Sequence, residues 1–215
     1  MEKAFKKLPD EKQKKILDSA AKIIAKNGYH QANIADICKE AGISNGALYK
    51  YFKNKEDFFI AVFLSHFDRI SKQFDIFYEV MDKRGLSFFG LIEVMLLFMP
   101  SFIKQEKNYI TIYQDLGSSY MNSFNPTLLN EIEAIFYRFW VKALEKGKQA
   151  GDVKKDIDIN LAAYMVDNHF LIFYFSCVSK HYDQRMKAFF PNHEQDLSIE
   201  DKGKIFLNSL KEILA

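Results

Sequence analysis

The chain is poor in the residues that interrupt helices: four prolines and nine glycines among 215 residues. A turn-rich, all-β architecture uses far more of both, so their scarcity points to long helices. Cysteine is scarce as well. Cys38 and Cys177 lie far apart, which excludes a disulfide framework and a thiolate metal spacing and fits a reduced compartment. There is no phosphate-binding glycine loop and no nucleophile elbow. The five histidines (His30, His66, His169, His181 and His193) have no ligand spacing with cysteine or with one another. No metal site, no cofactor and no catalytic constellation is therefore expected. The N-terminus is Lys-rich and lacks an apolar signal core, so the expected location is the cytoplasm. The longest apolar stretch, Leu161 to Val178, is interrupted by Asp167, Asn168 and His169. A mid-span carboxylate costs about 2.5–3.5 kcal/mol on membrane-insertion scales. The stretch reads as a buried helix, and no membrane partner is expected.

What the chain has in excess is aromatic mass and a skewed charge. Its 21 Phe and 11 Tyr exceed what a core of this size needs, which suggests a lined cavity or a greasy subunit interface. Net charge is only +2, but residues 1–55 carry twelve Lys, no Arg and six acidic residues, or +6, leaving −4 on the remainder. A basic first quarter on an acidic body is the pattern of a phosphate-binding module attached to something else.

Helical periodicity runs throughout, without alternation that would mark strands. The first helix is expected over about 10–27, capped by Asp10 with Gln13 behind it and stopped at Gly28. Three more follow over about 34–41, 44–52 and 54–81, capped by Asn33, Ser44 and Asn54. The fourth is long, with Phe59, Phe63, Phe67, Ile70, Phe74 and Phe77 on one face. Five further helices are expected over about 86–105, 107–117, 126–149, 159–182 and 199–214, with a kink at Pro100. The fold class is all-α, about nine helices, with an N-terminal three-helix domain over 1–55 and a helical domain over 56–215.

The segment from Asn33 to Phe52 carries the chemistry. A short capped helix, a turn at Gly42 and a second Ser-capped helix are the parts of a helix-turn-helix. Spacing divides the third helix: Ala47 with Tyr51 and Leu48 with Phe52 face inward, while Asn45 with Tyr49 and Gly46 with Lys50 face outward. An outward Tyr beside Asn, Gly and Lys suits a major groove. Lys50 and Asn45 reach base edges or phosphates, Tyr49 donates to a phosphate, and Gly46 allows close approach. Lys53 and Lys55 flank the helix.

Residues about 12–64 resemble the tetracycline-repressor (TetR/AcrR) family of one-component regulators. The resemblance rests on Gly28-Tyr29, Ile34, Asp36-Ile37, Ala41-Gly42-Ile43-Ser44, Gly46, Leu48-Tyr49, Tyr51-Phe52 and Lys55-Glu56. Ala32 stands where that family usually has Thr, and Cys38 where it usually has Ala. The resemblance places DNA-facing residues at Asn33, Ser44, Asn45, Gly46, Tyr49, Lys50 and Lys55. It also implies a homodimer that binds a palindromic double-stranded DNA operator, most often as a repressor, and is released by a small apolar or amphipathic effector. Such a protein is a regulator and not an enzyme. Two alternatives stay open: a regulator of this fold without an effector, and a helical lipid or ligand carrier.

Beyond residue 80 no motif remains. Candidate effector-site residues are Phe67, Phe74, Met95, Phe98, Met99, Phe102, Tyr113, Phe136, Trp140, His169 and Phe170, each also readable as plain core. Candidate dimer-interface residues are Ala162, Val166, Phe173, Tyr174 and Cys177. The helix that carries them is apolar nearly all round, so periodicity does not separate its faces.

Overall fold

The computed structural model describes residues 4–116, 126–190 and 196–215. A 3₁₀ turn at Phe5–Lys7 precedes α1 (Asp10–Gln31), α2 (Ile34–Ala41), α3 (Asn45–Tyr49), α4 (Lys55–Arg84), α5 (Phe88–Leu116), α6 (Pro126–Ala150), α7 (Ile159–Val178), α8 (Lys180–Phe189) and α9 (Ile199–Leu214). The fold is all-α, with nine α-helices and no strand among the described residues. The expected count is reached through two compensating differences. The stretch expected as two helices, 86–105 and 107–117, is the single helix α5, which runs through Pro100 because Ile103 and Ile110 continue its buried stripe across the polar run at 104–107. The stretch expected as one helix, 159–182, breaks at Ser179 (φ −111°, ψ 123°) into α7 and α8.

Helix ends follow side-chain chemistry. The carboxamide oxygen of Asn33 accepts from the Ala35 amide at 2.9 Å, the Ser44 hydroxyl from Ala47 at 3.1 Å, and Asn54 from Asp57 at 2.7 Å. Gly42 adopts the left-handed conformation (φ +74°, ψ 35°), and Ile43 donates back to the Cys38 carbonyl, which closes α2 in a Schellman-type cap. Gly28 (φ +74°) breaks the helical geometry of α1 where a stop was expected, and one more turn runs on to Gln31. Asp10 is not the cap of α1. Pro9 holds that position, Asp10 is the first helical residue, and the Gln13 side chain donates to the Leu8 carbonyl at 2.7 Å.

The chain forms two compact units, Met1–Ile70 with Asn108–Met121, and Ser71–Lys107 with Asn122–Ala215. The boundary expected at residue 55 marks the start of α4, whereas the units part within α4 and again within α5. The reason lies in packing. Phe58, Phe59, Val62 and Phe63 of α4 are buried in the first unit, with Phe58 4.8 Å from Phe52 and Phe59 4.5 Å from Tyr29, ring centre to ring centre. The last turns of α5 belong there too. Tyr109 stacks on His66 of α4 (4.7 Å, 5°), and its hydroxyl donates to Asp18 of α1 at 3.0 Å. Burial pushes that hydroxyl's pKa up.

In the second unit α7 is central. Ala162, Val166, Phe170 and Phe173 are buried, and Phe170 and Phe173 meet Phe206 of α9 at 4.4 and 5.5 Å. One buried cation fastens three helices. Lys202 of α9 donates to the Ser176 carbonyl of α7 at 2.6 Å and pairs with Asp183 of α8 at 2.7 Å. Its charge is fully engaged, which is what makes burying a lysine tolerable. By length and hydropathy alone α5 and α7 would suffice to cross a membrane. In this fold each turns an apolar face to its neighbouring helices.

Phe5 has no periodic neighbours to announce it in the sequence, yet it is completely buried, 5.0 Å from Phe52 and 5.8 Å from Tyr51. Replacing a ring in such a site with a methyl group leaves a cavity and typically costs about 3–5 kcal/mol. Phe5→Ala should lose stability on that scale in urea unfolding. A loss below about 1 kcal/mol would mean that the N-terminal turn does not support α3.

Candidate functional site

The first unit presents a short helix whose direction is fixed entirely by its neighbours. Five residues cannot sustain a helix alone in water. In α3 the Ser44 cap supplies one end, and Leu48 and Phe52, 1% and 2% exposed, supply the anchor. The Leu48 carbonyl accepts from Tyr51 and Phe52, carrying the turn past Tyr49 to the buried Phe52 ring. With that face down, Asn45, Gly46, Tyr49 and Lys50 are exposed together, and half of the Tyr49 surface is open to solvent. Ala47 and Tyr51 are half-buried. Asn33 and Ser44 are exposed at the starts of α2 and α3, where their side-chain oxygens are already occupied as caps.

Lys55 is placed differently from the other basic residues. Its ammonium donates to the His30 carbonyl at 3.1 Å and lies 4.8 Å from the centre of the Tyr29 ring, and desolvation lowers its pKa. It closes the end of α1 rather than standing free beside α3. Lys50 and Lys53 are exposed and, among the described residues, lack an acidic partner. Lys22 pairs with Glu40 at 2.6 Å, joining α1 to α2 behind the exposed face. The surface can thus offer amide, phenol and ammonium groups to an acidic, grooved partner, with a glycine at the point of closest approach.

The second unit gathers part of the expected effector-site set into one aromatic cluster. Phe74 lies 5.6 Å from Phe136 and 6.2 Å from Trp140. Trp140 stacks on Phe170 (4.7 Å, 24°), Phe170 meets Tyr174 at 5.9 Å, and Tyr174 meets Phe102 at 5.6 Å. Phe139, absent from the sequence reading, lies parallel to Phe74 at 3.9 Å. Met95 and Met99 are buried in the same unit. Three residues do not join. Phe67 and Tyr113 pair with each other at 5.7 Å in the first unit, and Phe98 is 58% exposed beside Phe77. Periodicity gives a residue's face but not how far along a long helix the cluster extends.

His169 looks another way. It borders a cavity of about 410 Å³ between α7, α8 and α9, lined also by Ile172, Phe173, Tyr182, Arg185 and Phe206, and its Nδ1 is 2.8 Å from the Met165 carbonyl. The dimer-interface set needs correction. Ala162, Val166 and Phe173 are 0%, 0% and 3% exposed within a single chain, so they have no surface to give a second copy. Tyr174 and Cys177 are half-buried, with Tyr174 in the aromatic cluster. The outward face of α7 is instead Leu161, Tyr164 and Ile172, with Phe189 and Phe190 exposed at the end of α8.

One carboxylate borders the aromatic cluster. Asp167 of α7 is half-buried, and its Oδ1 accepts from the Trp140 indole N–H at 2.9 Å. Burial raises its pKa to about 6, the Trp140 hydrogen bond opposing and the Glu133 charge adding.

Comparison with known proteins places this geometry. The family described as bacterial regulatory proteins, tetR family, matches residues 16–62. The fatty acid metabolism regulator protein of Bacillus subtilis is 30% identical over 157 residues, which is 72% of this chain and 77% of that protein. The HTH-type transcriptional repressor KstR2 of Rhodococcus jostii is 30% identical over 151 residues, 68% of this chain and 70% of the relative. Two solved structures share the fold. The transcriptional regulator FadR from Bacillus subtilis, in complex with stearoyl-CoA, superposes with a TM-score of 0.65 at 23% identity over 92% of this chain and 96% of its own. FadR from Bacillus halodurans gives 0.70 at 23% identity over 92% and 97%. At that identity the two structures speak for the fold alone.

The Asp167 environment has a consequence for stability. A carboxyl whose pKa is raised on folding, to about 6 from about 3.9, favours the folded state while protonated. Its ionisation erodes stability as pH rises from about 4 to 6, by at most about 3 kcal/mol. Asn keeps an acceptor for Trp140 without the charge. Asp167→Asn should therefore gain on the wild type between pH 4.5 and pH 7.5 in denaturation followed by Trp140 fluorescence. A difference independent of pH would contradict the assignment.

Proposed function

This chain belongs to the tetR family of bacterial regulatory proteins, and on that premise we propose that it is a repressor that binds a palindromic operator as a homodimer and lets go when an acyl thioester enters its second unit. The observation that carries the DNA-binding half is the exposed set Asn45, Gly46, Tyr49 and Lys50, held out by the buried Leu48 and Phe52. Lys50 and Lys53 neutralise phosphates, and Asn45 and Tyr49 meet base edges and backbone. Asn33 and Ser44 stand at the flanks, where their helices begin. Lys55 supports the site by closing α1, and its terminal donors face the protein.

The effector half is supported by the aromatic cluster of Phe74, Phe102, Phe136, Trp140 and Phe170, which offers apolar lining to a hydrocarbon tail. Relatives point to the chemistry of that ligand: the Bacillus subtilis FadR was crystallised with stearoyl-CoA. The response travels along two helices that each belong to both units, α4 and α5. A ligand that shifts Phe102 on α5 acts on the helix whose Tyr109 hydroxyl is bonded to Asp18 of α1. It biases a two-state arrangement of the recognition helices. A second copy docks on the exposed apolar residues of α7 and α8, Leu161, Tyr164, Ile172, Phe189 and Phe190. A DNA-binding regulator of this kind works in the cytoplasm.

Fluorescence anisotropy with a labelled fragment from upstream of the protein's own gene tests this reading. The wild type should bind with strong salt dependence. Tyr49→Ala should bind at least about 10-fold more weakly, the scale of one lost base or phosphate contact. Stearoyl-CoA should release the complex. No complex at low salt, or equal binding by Tyr49→Ala, would refute DNA reading by this face. A complex indifferent to stearoyl-CoA would refute the acyl effector.

A further inference from the structure

Asp167, Phe170, Tyr174 and Cys177 repeat at intervals of three, four and three along α7 and so share one face of the helix. That face meets α6 through Trp140 and α5 through Phe102. Within this apolar surround two polar groups are left incomplete. The Trp140 indole occupies Oδ1 of Asp167, but among the described residues no donor meets Oδ2. The Tyr174 hydroxyl likewise has no hydrogen-bond partner among the described residues, although its ring is held by Phe102, Phe170 and Phe173. Burial raises the pKa of both groups, and the Asp167 charge contributes to the rise at Tyr174, so the two sense each other.

An unsatisfied acceptor and an unsatisfied hydroxyl beside a cluster of rings do not serve packing, because leaving a polar group unpaired out of water is unfavourable. They do suit a ligand with a hydrocarbon tail and a neutral polar head. We propose that Asp167, with Tyr174, sets the effector's head-group specificity, accepting a hydrogen bond from an amide or hydroxyl next to an acyl thioester and excluding a free fatty-acid carboxylate. The inference rests on the reading above that the second unit takes an acyl ligand, and it deepens that reading by naming the discriminating residue. The amide N–H groups of a pantetheine-type thioester supply the donor. A free carboxylate supplies none, and its charge would lie close to another in a medium of reduced dielectric, where like charges repel far more than in water. Such a site rejects a ligand through what it lacks and through repulsion together.

Trp140 gives a direct readout, since its N–H is bonded to Asp167 and it is the chain's sole tryptophan. Its emission is to be titrated with stearoyl-CoA and with stearate at pH 7.5, below micelle-forming concentrations, in the wild type, Asp167→Asn and Tyr174→Phe. The wild type should bind stearate at least about 10-fold more weakly than the thioester. Asp167→Asn should bring the two within about 3-fold of each other, because Asn keeps the Trp140 acceptor and drops the charge. Tyr174→Phe keeps the ring and should weaken the thioester by about 2–10-fold, the worth of one hydrogen bond, while stearate stays excluded. Circular dichroism melting identifies any variant that fails to fold, and the other variant then carries the test. If the thioester binds but the wild type accepts stearate equally, or if neither variant changes its ratio or affinity, the proposal falls alone. If the wild type binds neither ligand, the acyl-effector reading falls and takes the proposal with it.

Discussion

Burial of Leu48 and Phe52 beneath a five-residue helix is the constraint on which the DNA-binding surface depends. Nothing intrinsic to α3 holds it in shape or direction. The helix is too short to nucleate on its own, and its middle contains a glycine. Its orientation comes from the Ser44 cap, the Leu48 anchor and the Phe52 ring, wedged between Phe5 and Phe58 at 5.0 and 4.8 Å. Once those are down, helical geometry leaves Asn45, Gly46, Tyr49 and Lys50 on the outside. Function here follows from packing, because the residues that would read DNA are those the core does not use.

The same logic, inverted, applies to the second unit. There the core accommodates a carboxylate and a phenol that it does not complete. Asp167 receives one hydrogen bond where a buried carboxylate wants several, and burial keeps its proton on to about pH 6. Lys202 is the instructive contrast. It is equally out of place in an apolar interior, but Ser176 and Asp183 answer its charge, and the result is a fastener between α7, α8 and α9. One buried ion is satisfied and structural. The other is incomplete and points to a ligand.

How much of this was legible in the sequence depends on the kind of signal. Caps and turns were legible, because Asn33, Gly42, Ser44 and Asn54 act through their own side chains on their own backbone. The outward face of α3 was legible too, since spacing of four fixes it once Leu48 and Phe52 are taken as inward. The domain-wide all-α reading followed from periodicity and the scarcity of helix breakers. What stayed hidden has physical reasons. Phe5 stands alone ahead of Pro9, without a period to reveal it. Lys55 reads as a free cation until its stem is seen to fold back on Tyr29. α7 is apolar on every side, so Ala162, Val166 and Phe173 could not be told from Leu161, Tyr164 and Ile172 before packing assigned the former inward and the latter outward. The break at Ser179 and the continuity of α5 both turn on tertiary packing that overrides local polarity.

The central claim is that two copies of this chain read DNA through the exposed face of α3. Hydroxyl-radical footprinting of the upstream fragment tests it most directly. The account predicts two short protected segments related by two-fold symmetry, their centres one helical turn or a whole number of turns apart, about 34–36 Å per turn. Continuous protection without that phasing, or a footprint unchanged when Asn45, Tyr49 and Lys50 are replaced together, would contradict it.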